Sequence, residues 1–209
     1  MTVLNRPDML ARFFTEQASQ SPPHEYVLVD NGSDEVTRNV LETVCSLRPN
    51  VRVLYNNVNR GFGVGNNQGV EVASGDVLVI TQPDVLFNED IVVKVKDIEV
   101  GVLYGHQLLD YDTGWNKFGN VLVPYLGGYF IVCRRATWHC LEGFDPRYYP
   151  ADFEDVDLSW TARQLGIELQ RLDVDIVHTF GSTWARVGGR EKVTKYNRTQ
   201  FAEKWGLTS

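Results

Sequence analysis

Four acidic residues lie within six positions of one another in the second half of the chain, at Asp152, Glu154, Asp155 and Asp157. Asp152 could cap a helix, with Asp155 three residues further on as in a capping box. Capping uses about two carboxylates, however, and four so close together repel one another. Repulsion raises the pKa of a carboxylate, and such a carboxylate is suited to remove a proton as a general base. The cluster is therefore larger than a helix cap alone requires, and it contains a candidate general base.

Asp84 and His178 stand where two predicted strands end. A carboxylate in the place of Asp84 can bind Mg²⁺ or Mn²⁺ together with the phosphates of a substrate. The alternative for Asp84 is a helix cap after the turn at Pro83. A lone histidine at a strand end, such as His178, is more often structural, but beside a carboxylate-bound metal it is a credible ligand.

Asp30 ends another apolar run and is followed by the turn sequence Asn31-Gly32-Ser33. Ligands of open α/β sheets bind at the carboxyl ends of the strands, where an aspartate can hydrogen-bond a nucleotide base or ribose. An Asx turn followed by a helix cap explains the same residues without a ligand. Both interpretations of Asp30 stay open at this point.

A glycine-rich stretch, Asn59–Gly69, follows the third predicted strand. It does not match the dinucleotide pattern GxGxxG, because Asn66 stands three residues after Gly63, and it lacks the Gly-Lys-Ser/Thr of a P-loop. Its glycines would still let the backbone approach a diphosphate at the start of a helix. A loop that needs positive φ angles is the alternative, and glycine content alone favours it.

Apolar runs of strand length alternate with longer amphipathic stretches, which predicts an α/β sheet covered on both faces. The predicted strands are Val3–Leu4, Glu25–Asp30, Val51–Tyr55, Asp76–Thr81, Val100–Leu109, Val121–Val132, Glu168–Leu172 and Asp175–His178. The predicted helices start at about Asp8 and after a cap at Ser33 or Asp34, and they cover Glu154–Leu165 and the tail around Lys195–Trp205.

The composition is that of a globular protein: of 209 residues, 43% are hydrophobic and 22% are charged. A net charge of −7 argues against a surface built for nucleic acid or anionic lipid. Three cysteines without a CxxC pair argue against a disulfide framework and favour a reduced, cytoplasmic setting. No stretch approaches the roughly 20 apolar residues that a membrane span needs.

Taken in chain order, these segments resemble glycosyltransferase family 2, whose inverting enzymes have the GT-A fold. The resemblance rests on Leu4-Asn5-Arg6, Val29–Ser33, Asn59–Gly69, Thr81–Val85, Gly127–Arg135, Gly143–Asp145, Phe153–Trp160 and Lys204–Gly206. It covers essentially the whole chain and implies an α/β, nucleotide-diphospho-sugar transferase fold, as a single Rossmann-like domain with a mixed sheet over residues 1–209. Residues 1–87 would bind the nucleotide sugar, and residues 88–209 would bind the acceptor and carry the catalysis.

The resemblance also implies roles for single residues. Asp155 would remove the proton of the acceptor hydroxyl, with Glu154 as a second catalytic carboxylate. Asp84 would hold a divalent cation, Mn²⁺ or Mg²⁺, against the donor diphosphate, with His178 as a second ligand. The donor-binding residues would be Asn5, Asp30, Asn59, Gly61, Asn66, Gln82 and Asp84, with Asp30 recognising the base or ribose.

Two positions depart from the family pattern. Thr81–Val85 is similar to the Leu-Asn-Pro-Asp-Val of rhamnosyltransferase-like members, so Gln82 replaces the first acid of a strict Asp-x-Asp motif. The protein therefore offers a metal fewer carboxylates. Thr161 stands where many members have arginine, which weakens the expectation of a diphosphate contact there.

The implied reaction moves a sugar from a UDP- or dTDP-sugar to a glycan, a lipid-linked glycan or another hydroxyl acceptor. A sugar nucleotidyltransferase is a second hypothesis, but it needs a glycine-rich first turn with Arg and Lys, which Asn5–Asp8 does not supply. A catalytically silent sugar-nucleotide-binding or scaffold protein is a third, and the presence of Asp84, Asp155 and His178 counts against it. The sequence leaves the oligomeric state open, a homo-oligomer included.

Overall fold

The computed structural model describes residues 1–179 and 189–208. The strands in these residues are β1 (Thr2–Val3), β2 (Tyr26–Asp30), β3 (Val51–Tyr55), β4 (Val77–Thr81), β5 (Val85–Phe87), β6 (Val102–Gly105), β7 (Leu108–Leu109), β8 (Lys117–Phe118), β9 (Val121–Leu122), β10 (Tyr125–Leu126), β11 (Phe130–Arg134), β12 (Glu168–Arg171) and β13 (Ile176–His178). The helices are α1 (Pro7–Glu16), α2 (Glu35–Leu47), α3 (Phe62–Val72), α4 (Ile91–Val95), α5 (Arg135–Leu141), α6 (Glu154–Gln164) and α7 (Arg190–Trp205). Among the described residues, no helix combines the length and the apolar character that crossing a membrane requires.

The first half of the chain builds a parallel sheet in the order β1-β2-β3. Helix α2 follows β2 and begins after Asp34, whose carboxylate accepts a hydrogen bond from the N–H of Thr37 at 2.9 Å. Such a cap satisfies one of the free N–H groups in the first turn of a helix. Leu41 and Val44 on α2 are buried in the core that this sheet shares with α1. Parallel strands end on one edge, which places the end of β1 beside Asp30.

A second sheet has the order β12-β6-β11-β4 and is mixed. Strand β11 runs antiparallel to β4 and to β6, whereas β12 runs parallel to β6. Ile131 on β11 lies opposite Ile80 on β4, and both side chains are buried. The prediction of an α/β protein with a mixed sheet is therefore confirmed.

The two long strands predicted over Val100–Leu109 and Val121–Val132 are wrong. The first consists of β6 and β7, and the second consists of β9, β10 and β11. Proline cannot donate a ladder hydrogen bond, and glycine weakens a strand interior, so Pro124 and the pair Gly127-Gly128 interrupt the pairing. The break at Gly128 brings a main-chain N–H to the cavity described below.

The helix cap considered for Asp152 is not formed. The N-cap of α6 is Phe153, at a φ angle of +79°. The carboxylate of Asp152 instead accepts two hydrogen bonds from Arg190, at 3.1 and 3.0 Å, and one from the hydroxyl of Thr194 at 2.7 Å. Asp152 therefore ties the start of α7 to the loop that precedes α6.

Asp157, in the first turn of α6, is a second anchor for α7. Its buried carboxylate accepts hydrogen bonds from the hydroxyl of Tyr148 at 3.0 Å, from Nζ of Lys204 at 2.7 Å and from Nε1 of Trp205 at 2.8 Å. Lys204 also donates to Asp145 at 2.9 Å. This network holds the N-terminal turn of α6 against the C-terminal turn of α7.

We expect Asp157→Ala to lower the free energy of unfolding by about 3 kcal/mol or more. The change leaves the Tyr148 hydroxyl and Nε1 of Trp205 without an acceptor and removes one of the two carboxylates that neutralise Lys204. Urea unfolding measures the effect as a lower midpoint at an unchanged slope. The control is Asp76→Ala: the side chain of Asp76 is 80% exposed in its ion pair with Arg134, and its loss costs at most about 1 kcal/mol. Equal midpoints for the two variants would contradict the prediction.

Candidate active site

A cavity of about 420 Å³ opens where the ends of β1 and β4 meet the first turn of α6. Polar side chains from nine separate segments of the chain line it. The residues predicted from the sequence that lie in it are Asn59, Gln82, Asp84, Glu154, Asp155 and His178. The lining also includes residues that were not predicted as site residues, among them Arg6, Asn31, Gln107, Tyr129 and Arg190.

Asp84 and His178 are brought together by strand pairing. Strand β5, which follows Asp84, runs antiparallel to β13, and the N–H of Thr179 donates to the carbonyl of Asp84 at 2.9 Å. As a result, Nε2 of His178 lies 4.0 Å from Oδ1 of Asp84. Burial lowers the pKa of His178, while the charge of Asp84 opposes that shift. The net lowering favours the neutral imidazole, which is the form that binds a metal ion.

Tyr129 fixes the orientation of the His178 ring. The two rings are stacked with centroids 4.1 Å apart and planes inclined by 17°. The Tyr129 hydroxyl lies 2.7 Å from Nδ1 of His106. Tyr129 follows Gly128 in a segment that the sequence marks only by its glycines, so its contact with His178 could be found only in the folded chain.

Asp155 lies at the start of α6 with both carboxylate oxygens held by main-chain donors. Oδ2 accepts from the N–H of Gly128, and Oδ1 accepts from the N–H of Val156, each at 2.9 Å. A Cβ atom at position 128 would stand 3.0 Å from the Cβ of Asp155, so the close approach requires glycine there. Asp155 is half-buried and lines the cavity, where a ligand hydroxyl can approach it.

Asp155 and Glu154, which are adjacent in the sequence, differ in how well their negative charge is stabilised. Burial raises the pKa of Asp155 to about 6, and the hydrogen bond from Gly128 limits the rise. Burial, with the charge of Asp155 second, raises the pKa of Glu154 well above its usual value. Glu154 is buried, and its Oε2 has no hydrogen-bond partner among the described residues. Of the two carboxyl groups, Asp155 is therefore the one whose negative charge is better stabilised by its surroundings.

Asn59 and Gly61 form the turn that begins α3. Oδ1 of Asn59 accepts from the N–H of Gly61 at 2.8 Å, and Gly61 has a φ angle of +85°. A Cβ atom at position 61 would stand 3.0 Å from the carbonyl oxygen of Pro150, which itself accepts from the N–H of Phe62 at 2.7 Å. The glycine-rich stretch thus combines a positive φ angle with the start of a helix. Of Asn59 and Gly61, only Asn59 lines the cavity.

Four predicted donor-binding residues lie outside this cavity: Asn5, Asp30, Gly61 and Asn66. Asp30 is fully buried, and its carboxylate accepts from the N–H of Ser33 at 2.9 Å and from Nε of Arg38 at 3.1 Å. Oδ1 of Asn5 accepts from the N–H of Asp34 at 2.7 Å. The amide of Asn66 donates to the carbonyl of Phe62 within α3. Their part in donor binding stays a prediction.

Arg190 and Arg6 supply positive charge at the cavity. Arg190 begins α7 and pairs with Asp152, and Arg6 precedes α1 and donates two hydrogen bonds to Asp8, each at 3.1 Å. Sequence reasoning missed Arg190 because its distance from the other site residues along the chain gives no sign that α7 folds back onto α6.

Solved structures with the same architecture define the fold class. The chain is similar to the mannosyltransferase PcManGT from Pyrobaculum calidifontis, solved in complex with GDP-Man and Mn²⁺, with a TM-score of 0.63, 16% identity and coverage of 81% of this chain and 52% of that one. It is also similar to S. aureus TarS 1-349, with a TM-score of 0.63, 16% identity and coverage of 89% of this chain and 61% of that one. The fold is the GT-A fold of glycosyltransferases, as predicted.

The family is shown by the sequence itself. The model of glycosyl transferase family 2 matches residues 1–119, and the chain belongs to that family. A curated relative is the "Uncharacterized glycosyltransferase YfnE" of Bacillus subtilis (strain 168), which is 33% identical over 72 residues. The aligned part makes up 34% of this chain and only 18% of YfnE. The resemblance predicted from the motifs is confirmed.

Proposed function

We propose that this chain transfers a sugar from a nucleoside-diphosphate sugar to an acceptor hydroxyl, with inversion at the anomeric carbon. The observation that carries the proposal is that one cavity holds a carboxylate suited to proton removal, Asp155, and the pair Asp84 and His178. Membership of glycosyl transferase family 2 and the GT-A fold support it. Residues 1–87 would bind the donor, and residues 88–209 would bind the acceptor in a cytoplasmic enzyme.

Asp155 acts on the acceptor side. The main-chain N–H groups of Gly128 and Val156 hold its two oxygens and leave the carboxylate facing the cavity. An acceptor hydroxyl within hydrogen-bond distance loses its proton to Asp155 as its oxygen attacks the anomeric carbon. The bond to the diphosphate breaks on the opposite side of that carbon, so a single displacement inverts its configuration. Burial raises the pKa of Glu154 and so disfavours a second negative charge beside the attacking oxygen.

Asp84 and His178 would hold a divalent cation, Mg²⁺ or Mn²⁺, on the donor side. The residues fit such an ion, because a carboxylate and a neutral imidazole leave coordination positions for phosphate oxygens and water. Among residues 1–179 and 189–208, no group of three or more His, Cys, Asp or Glu could hold a metal, so the donor would complete the shell. The bound cation would neutralise the charge that develops on the departing diphosphate.

The donor and acceptor are proposed only as chemical classes. PcManGT was solved with GDP-Man, and GalNAc-T7, another similar structure, with UDP, GalNAc and Mn²⁺. For this chain, a UDP- or dTDP-sugar stays the preferred donor, with GDP-sugars included in the test. The acceptor is a glycan, a lipid-linked glycan or another molecule with a free hydroxyl, and the net charge of −7 disfavours nucleic acid.

Thermal unfolding with UDP, dTDP, GDP and CMP, each with and without Mn²⁺, tests the proposal. A nucleotide at 100 times its dissociation constant stabilises the folded chain by about 2.7 kcal/mol, which is a visible shift. We expect one nucleoside diphosphate to raise the melting temperature, and to raise it further with Mn²⁺. CMP, a monophosphate with a different base, is the control in which no diphosphate is offered. If no nucleotide shifted the transition, the function would be wrong and a silent scaffold would be favoured.

A further inference from the structure

Arg6 is a buried cation in the wall of the candidate active site. It immediately precedes α1, and its side chain is only 8% exposed. Nε and Nη2 each donate to the carboxylate of Asp8 at 3.1 Å, so one edge of the guanidinium is occupied. Nη1 carries two further N–H groups and is buried, without a hydrogen-bond partner among residues 1–179 and 189–208. Arg6 therefore has an unused donor in a cavity that it lines.

An unused donor on a buried cation destabilises the folded chain. Nearly all buried polar groups in proteins have a hydrogen-bond partner, and a buried charge without one loses the stabilisation that water gives it. Asp8 compensates only part of this loss, because its side chain is 49% exposed and solvent screens its charge. An apolar side chain of similar length would fill the same place without the loss. Arg6 is therefore explained better by a ligand than by the stability of the fold.

The positive charge of Arg6 is not balanced from within the cavity. Arg190 donates two hydrogen bonds to Asp152, and both of these residues line the cavity. Asp8, the partner of Arg6, is not a lining residue. The lining also contains several other carboxylates, which repel an anion. The wall at Arg6 is therefore the part of the cavity where an anionic group of a ligand is favoured.

Arg6 and Asp84 lie on the same edge of the fold. Arg6 stands three residues beyond the end of β1, and Asp84 stands three residues beyond the end of β4. Both line the cavity at the ends of these strands, which is where ligands of α/β sheets bind. A diphosphate carries negative charge on both of its phosphates. A cation at Asp84 and the guanidinium of Arg6 can therefore each meet part of that charge.

We propose that Arg6 binds the diphosphate of the sugar donor, through hydrogen bonds from Nη1 to a phosphate oxygen. This assignment deepens the proposed function and rests on it. Hydrogen bonds between a guanidinium and a phosphate are about twice as strong as those between neutral groups. Asp8 is a positioning residue, because it holds the opposite edge of the guanidinium and leaves Nη1 for the ligand. Arg6 contributes to donor binding whether or not a cation is bound.

The experiment compares Arg6→Met with Arg12→Met and with the unchanged protein. Methionine keeps an unbranched apolar side chain but has neither charge nor N–H groups. Arg12, also in α1, is the matched control, because it pairs with Glu16 on the surface and does not line the cavity. Calorimetry measures the dissociation constants of UDP, dTDP and GDP, and of uridine, thymidine and guanosine. EDTA is present throughout, so that a cation at Asp84 does not contribute.

We expect Arg6→Met to weaken the binding of the recognised nucleoside diphosphate by about 10- to 100-fold, which is the range for hydrogen bonds to charged groups. The affinity for the matching nucleoside should be unchanged, because a nucleoside has no phosphate. Arg12→Met should bind the diphosphate and the nucleoside as the unchanged protein does.

The melting temperature without ligand separates binding from a structural role. Methionine at position 6 removes a buried donor that has no partner, and Asp8 stays solvated because it is half exposed. Arg6→Met should therefore melt at the same temperature as Arg12→Met or higher. A residue that the fold requires would give the opposite result.

Three outcomes would overturn the proposal while leaving the proposed function in place. Equal diphosphate affinities of Arg6→Met and Arg12→Met would show that Arg6 does not contact the donor. An equal loss of affinity for diphosphate and nucleoside would place Arg6 at the base or ribose. A melting temperature of Arg6→Met well below that of Arg12→Met would make Arg6 a structural residue. If no nucleoside diphosphate binds the unchanged protein, the proposed function fails, and this proposal fails with it.

Discussion

Asp155→Asn should lower the turnover number by about 10²- to 10⁴-fold while leaving the dissociation constant of the donor nucleotide unchanged. The amide keeps the size of the side chain, and its oxygen still accepts from the N–H of Gly128. It cannot take a proton from the acceptor, and positioned general bases contribute rate factors of this size. The measurement pairs a steady-state transfer assay with nucleotide binding by calorimetry.

The pH dependence of kcat/KM should also identify Asp155 as the base. Because burial raises the pKa of Asp155 to about 6, the carboxylate is mostly protonated at pH 5 and mostly ionised at pH 7. We therefore expect kcat/KM to rise between these values, with the midpoint belonging to the coupled pair of Asp155 and Glu154. Asp97→Asn, at an exposed carboxylate outside the cavity, is the control and should leave rate and profile unchanged. A flat profile, or turnover retained in Asp155→Asn, would assign the base to another residue.

Three short strands in the first half of the chain are the part of the fold that the sequence predicts best. Strand β3 is predicted to the residue, and β2 and β4 to within one residue. Each is a short run of mostly apolar residues bounded by turn residues, a pattern that marks a strand in the sequence. The helix start at Asp34 is predictable too, because capping depends on side chains only a few positions apart.

The segment from Val100 to Val132 could not be predicted in the same way. Its apolar residues are as dense as in a strand, but they serve several short strands that pair with different partners. Strand β7 pairs with β10, and β8 pairs with β9, outside both larger sheets. Helices α4 and α5 were missed for a related reason, since five and seven residues are too few to show helical periodicity.

The candidate site likewise contains residues that the sequence predicts and residues that only the folded chain reveals. Asp84, Asp155 and His178 are marked by residue type and by position at element ends, and all three line one cavity. Tyr129 and Arg190 enter that cavity through contacts between segments far apart in sequence, to His178 and Asp152 respectively. Residue type alone carries no sign of such contacts.

Asp84→Asn should remove the metal-dependent part of donor binding and lower turnover by about 10²- to 10³-fold. Asp84 supplies the carboxylate of the pair with His178, and several kcal/mol of transition-state stabilisation come from a cation on a departing phosphate. An amide oxygen is a weaker, uncharged ligand. Without metal, a nucleoside diphosphate should raise the melting temperature of Asp84→Asn nearly as much as that of the unchanged protein. Adding Mn²⁺ should then give no further rise in the variant.

Asp175→Asn is the matched control for Asp84→Asn. Asp175 is exposed, lies three residues before His178, and its Oδ1 accepts from Asn88 at 3.0 Å outside the cavity. Its loss should leave the Mn²⁺ effect and the turnover in place, because neither depends on charge at the start of β13. If Asp84→Asn kept a full Mn²⁺ effect, the cation would be held by the donor and by other groups. If both variants lost it, the effect would reflect the packing of β13 on β5 rather than a ligand at Asp84.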